Sequence, residues 1–90
     1  MKIGQMVATR GIADKMADNM RFALEVDLSI KFFLKGIWGT VSEDSKEMND
    51  LHMQSGTGDL LAEYKTCEGR IWIKTEHDRS VTTILFPEEY

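Results

Sequence analysis

The sequence predicts an α+β domain in which N-terminal helices pack on one face of a small antiparallel β-meander of three C-terminal strands, with a possible short strand at the start. Three observations carry this expectation. Phe22, Val26, Ile30, Phe33 and Leu34 recur at the spacing of a core-facing helical stripe. From Arg70 to Glu76 the pattern changes to strict alternation, with Ile71, Ile73 and Thr75 on one side and Trp72, Lys74 and Glu76 on the other. A chain of 90 residues has room for only one core, so residues 1–90 are read as a single domain.

Taken in order, Ile3–Ala8 is the short strand, ended by Thr9-Arg10-Gly11. Ile12–Asp18 gives about two helical turns, with Ile12 and Met16 four apart on one face. Asn19 is an N-cap for the main helix, Met20–Lys35. Leu24 and Leu28 widen its stripe toward a second face that could serve an oligomer contact. Gly36-Ile37-Trp38-Gly39 ends that helix and carries an aromatic between glycines. Ser42 caps a third helix, Glu43–Gln54, whose first turn holds Glu43 and Asp44, where the helix dipole favours acids. Its apolar seam is narrow, made of Met48, Leu51 and His52, so it belongs on the surface. After Gly56-Thr57-Gly58 come three strands: Leu60–Lys65, Arg70–Glu76 and Ser80–Phe86. They are separated by turns at Cys67-Glu68-Gly69 and His77-Asp78-Arg79 and are stopped by Pro87. The end, Pro87–Tyr90, reads as a tail with Tyr90 able to pack back.

Composition narrows the function classes. Hydrophobic residues make up 42% and charged residues 29%, as in ordinary folded domains, so disorder is not expected. The lone Cys67 forms no internal disulfide, and no apolar run is long enough to span a bilayer. With no secretory leader at the start, a cytoplasmic protein is the expectation. The net charge of −4 is unevenly divided. Residues 1–41 hold six Lys/Arg against four Asp/Glu, a net of +2, whereas residues 42–90 hold five against eleven, a net of −6. Direct nucleic-acid binding is therefore disfavoured, and the acidic half suits a basic protein partner.

Few residues point to chemistry. His52, His77 and Cys67 fit no zinc spacing, and neither a catalytic constellation nor a cofactor is expected. Cys67 beside Glu68, with only Arg70 to lower its pKa, reads as a surface thiol. Glu76, His77, Asp78 and Arg79 are the densest polar cluster, suited to gripping a partner or to fixing a turn. Trp38 is either core or an exposed aromatic anchor between its glycines. Trp72, Lys74 and Glu76, with Tyr64 on the neighbouring strand, would form a contact surface on a sheet face left uncovered by helices. Arg10 belongs to a modestly basic first half.

The chain also resembles a family of small proteins carried on plasmids, phages and integrative elements of Gram-positive and gut bacteria. Members are labelled "plasmid-related protein" or "type I restriction endonuclease subunit M". The residues concerned are Val7-Ala8-Thr9-Arg10-Gly11, Gly36 with Trp38-Gly39, Asn49-Asp50, Ile71–Glu76 and Asp78–Tyr90. That family's middle motif reads Gly-Asp-Trp-Gly; here Ile37 stands in place of the acid. The restriction label does not suit 90 residues with no glycine-rich cofactor loop. The resemblance implies a mobile-element origin rather than a mechanism. Two expectations follow. The first is a non-enzymatic interaction protein, forming a homodimer, that binds and inhibits a host defence protein. The second is a small-ligand or nucleotide sponge, its pocket at a dimer seam between Trp38, Arg10, Asp78 and Arg79.

Overall fold

The computed structural model describes residues 2–90 and has the expected α+β architecture. Strand β1 (Gln5–Ala8) is followed by helices α1 (Arg10–Asp18), α2 (Met20–Leu34) and α3 (Glu43–Ser55). Strands β2 (Leu60–Thr66), β3 (Gly69–Thr75) and β4 (Val81–Leu85) come next, and a single 3₁₀ turn, Pro87–Glu89, closes the chain. The sheet order is β1-β4-β3-β2. The last three strands form the expected antiparallel meander, and β1 lies parallel to β4, so the sheet is mixed.

The helix starts follow capping chemistry. Thr9, rather than breaking the chain, caps α1 by accepting the N–H of Ile12, so the helix begins at Arg10. Asn19 Oδ1 accepts from Phe22 N at 3.1 Å, and Ser42 Oγ from Ser45 N at 3.2 Å. Gly56, in the left-handed conformation at φ 77°, ends α3.

One core lies between α1, α2 and the sheet. Ile12, Phe22, Val26 and Phe33 pack on Leu60, Ala62, Tyr64, Ile71, Ile73 and Ile84. Phe86 stacks on Phe22 with ring centroids 5.7 Å apart. Leu34 departs from the expected stripe: with Leu24 and Leu28 it faces solvent.

The third helix corrects its expected seam. Met48 and Leu51 are exposed, and the fully inward residue is Asn49, flanked by half-buried Lys46, His52 and Met53. The reason is the position of α3 along the outer edge of β2. Asn49 Nδ2 donates to Leu61 O at 2.8 Å, and Leu61 N donates to Asn49 Oδ1 at 3.2 Å. An edge strand leaves backbone groups unpaired, and a carboxamide satisfies both where an apolar side chain satisfies neither. The same edge is closed two residues further on. Glu63 N donates to Trp38 O at 3.2 Å, and Thr40 N donates to Glu63 O at 2.8 Å. Gly39 makes this approach possible, because a Cβ there would collide with the Glu63 carbonyl.

Candidate functional site

The sheet has one helix-covered face and one open face, and alternation assigns the side chains. On β3, Ile71, Ile73 and Thr75 are buried under the helices, while Trp72, Lys74 and Glu76 turn to the open side, as their spacing predicts. Tyr64 does not join them. It pairs with Ile71 on the covered face, and its hydroxyl donates to Ile37 O at 2.6 Å. Burial holds that phenol well above its ordinary pKa. Glu63 is the residue opposite Trp72. The β2–β3 turn has two residues, Cys67 and Glu68, instead of three, and a one-residue slip exchanges the faces of a strand.

The open face holds a connected set of aromatic and charged groups. Trp72 Nε1 donates to Glu63 Oε2 at 2.9 Å, and Thr40 Oγ1 donates to Glu63 Oε1 at 2.7 Å. Arg70 Nη1 lies 3.9 Å from the same carboxylate. The indole hydrogen bond foremost, helped by Thr40 and Arg70, lowers the Glu63 pKa against the opposing effect of its partial burial. The C-terminal turn brings Tyr90 edge-on to Trp72, at 5.7 Å between centroids. Lys74 Nζ sits 3.2 Å from the Tyr90 hydroxyl and 4.9 Å from its ring centre. That hydroxyl contact, ahead of Glu76 at 3.8 Å, raises the Lys74 pKa. Tyr90 is 75% exposed and Trp72 half-buried, so the patch is accessible yet held in place.

The remaining expected site residues lie elsewhere. Trp38 is core at 3% exposure, edge-on to Phe33, and its Nε1 donates to Asp50 Oδ1 at 2.8 Å. The exposed member of that loop is Ile37. Arg79 is buried at 5% exposure and φ 62°. Its guanidinium donates to Lys2 O at 2.9 Å and to His52 O at 2.7 Å, tying the first residues to the C-terminal turn of α3. Asp78 is exposed and accepts from Ser80 N at 3.0 Å, and its bonding to Ser80 lowers its pKa. These two residues therefore shape the turn. Arg10 projects into solvent, 3.8 Å from Asp14 on its own helix. The structure does not gather Trp38, Arg10, Asp78 and Arg79 around a common opening.

Sequence reasoning missed Glu63, Arg70 and the placement of Tyr90. The first two were readable, since a two-residue turn sets Glu63 opposite Trp72 and alternation along β3 sets Arg70 on the same face. Two clefts lie outside this patch. One, of about 360 Å³, runs between the end of α2 and α3 and is lined by Ile37, Trp38, Glu43, Glu47 and Asp50. The other, of about 270 Å³, lies between α2 and β2 beside Leu28, Phe32 and Tyr64. Among the described residues no three His, Cys, Asp or Glu side chains are grouped to hold a metal ion. No helix is long and apolar enough to cross a membrane. No family model, curated protein or solved structure matches the chain.

Proposed function

We propose that this protein is a non-enzymatic interaction module that binds another protein through the open sheet face around Trp72, Arg70, Lys74, Glu76 and Tyr90. The observation that carries this reading is the exposed Tyr90 ring resting on a half-buried Trp72, with cations and carboxylates around it. Aromatic anchors already ordered by their neighbours lose little side-chain entropy on binding, and a charged rim sets orientation. The resemblance to mobile-element proteins favours a host defence protein as the partner, inhibited by occupation of its surface. The net of −6 over residues 42–90 favours a basic target over nucleic acid itself. The module acts in the cytoplasm, in keeping with a single unpaired thiol, and as a homodimer.

The test is affinity capture from a bacterial host lysate with the parent protein beside Arg70→Glu and Trp72→Ala. The expected result is one stoichiometric partner on the parent that is lost on both variants while they remain folded. Recovery of no partner, or equal recovery on all three, would overturn the proposal.

A further inference from the structure

The outward face of α2 is unusual for a helix that covers a core on its other side. Met20, Leu24, Leu28 and Phe32 follow one another at intervals of four and are 80%, 65%, 50% and 37% exposed. Arg21, Lys31 and Lys35 stand among them with Glu25 and Asp27 as the acids, giving this face a net of +1; Arg21 pairs with Glu25 at 3.7 Å and Lys31 with Asp27 at 3.1 Å, which leaves Lys35 as the unpaired cation. The outward face of α3 has the opposite character. Exposed Met48 and Leu51 stand among Glu43, Asp44 and Glu47, a net of −3 that half-buried Lys46, 3.4 Å from Glu43, reduces to −2. Among the described residues, Lys35, Asp44 and Glu47 form no ion pair. The helices have 15 and 13 residues, so the two faces are nearly matched in length. The acidic cleft of about 360 Å³ between the end of α2 and α3 lies beside both.

We propose that the protein pairs with a second copy of itself through two equivalent contacts, the basic apolar face of α2 in each copy lying on the acidic apolar face of α3 in the other. This rests on the dimeric part of the reading above and assigns its surface. One chain carries both halves of a complementary pair. A two-fold axis lets each half meet its complement, and it closes the assembly with neither face left over. Pairing α2 with α2 instead would set two faces of the same net positive charge against each other, a repulsion that disfavours it. The open sheet face stays free in the dimer.

Charge exchange tests the assignment. Light scattering on a sizing column, at roughly 50 µM where a low-micromolar dimer is filled, compares the parent with K31E/K35E and D44K/E47K. The expected result is a dimeric parent, each variant monomeric with unchanged circular dichroism, and a dimer restored when the two variants are mixed in equal amounts. Leu24→Ser and Leu51→Ser, which keep every charge, are each expected to weaken the dimer at least tenfold. A monomeric parent would overturn this assignment together with the dimeric reading. A dimeric parent with both charge variants also dimeric would overturn the surface alone. Loss confined to either charge variant, or a mixture that stays monomeric, would overturn the assignment.

Discussion

Replacing Asn49 by Ala should be among the most damaging single changes in α3, although Asn49 is the polar member of a helix that also carries Met48 and Leu51. The side chain is 4% exposed and holds both backbone groups of Leu61, at 2.8 Å and 3.2 Å. Removing the carboxamide leaves a donor and an acceptor without partners, each costing about 1–3 kcal/mol. A water entering the vacated space recovers part of this, which places the total at about 2–4 kcal/mol. A domain of this size has about 5–13 kcal/mol of stability in all, so the loss is a large fraction. The thermal midpoint should fall by roughly 8–32 °C, at about 4–8 °C per kcal/mol. Urea unfolding followed by the fluorescence of Trp38 and Trp72 measures the change, and hydrogen exchange should show the Leu61 amide losing protection. Met48→Ala and Leu51→Ala, made at exposed positions, are the controls and should each cost under about 0.5 kcal/mol in the monomer. If Asn49→Ala costs no more than these controls, the edge-closing role assigned to Asn49 is wrong.

Three further outcomes can be checked alongside. Glu89 joins the two ends of the chain, accepting from Thr9 Oγ1 at 2.7 Å, Phe86 N at 2.8 Å and Gly11 N at 3.2 Å; burial opposes its ionisation, but these bonds outweigh it and lower its pKa below the ordinary 4.5. Its contribution is therefore complete above about pH 4.5 and is lost as pH falls through the lower folded value, so Glu89→Gln should flatten the acid limb of a stability–pH curve and cost about 0.5–1 kcal/mol at pH 7. Arg79→Lys should cost about 1–3 kcal/mol by urea titration, because an ammonium cannot span the carbonyls of Lys2 and His52 as the guanidinium does, whereas Asp78→Ala in the same turn should cost less than Arg79→Lys. Cys67, whose pKa is raised first by its contact with the Glu25 carboxylate, should react with iodoacetamide at pH 8 more slowly than free cysteine, and Glu25→Gln should speed it up.

What could be read from the sequence was whatever depends on local rules. The caps at Asn19 and Ser42, the left-handed Gly56 and the two-sided β3 each follow from a few neighbouring residues. Features set by distant partners were not legible. Nothing near Gln5–Ala8 shows that it lies parallel to β4, some 75 positions further on. The inward turn of Asn49 answers a need of Leu61 that an apolar count on α3 cannot register. The same holds for Trp38, since a tryptophan between two glycines reads equally as anchor or core until Phe33 and Asp50 are found beside it. On the open sheet face, Trp72, Lys74 and Glu76 were recognisable because strand alternation is local, whereas Glu63 and Tyr64 exchanged places with the length of one turn.

The way the sheet edges are managed bears on the proposed binding role. A four-stranded sheet has two edges, and an extended peptide could add to either. On β2, Leu61 is occupied by Asn49 and Glu63 by the Trp38–Thr40 segment, which breaks any continuous ladder along that side. On β1 the strand is four residues long and passes directly into the cap of α1 at Thr9. Short or blocked edges of this kind resist strand addition. In the proposed binding role, recognition would then fall to side chains on a face, where Trp72 and Tyr90 supply apolar area and Arg70, Lys74, Glu63 and Glu76 supply charge. A surface built in this way suits the proposed binding of a folded protein better than that of an extended segment, which would find no row of free backbone groups to pair with.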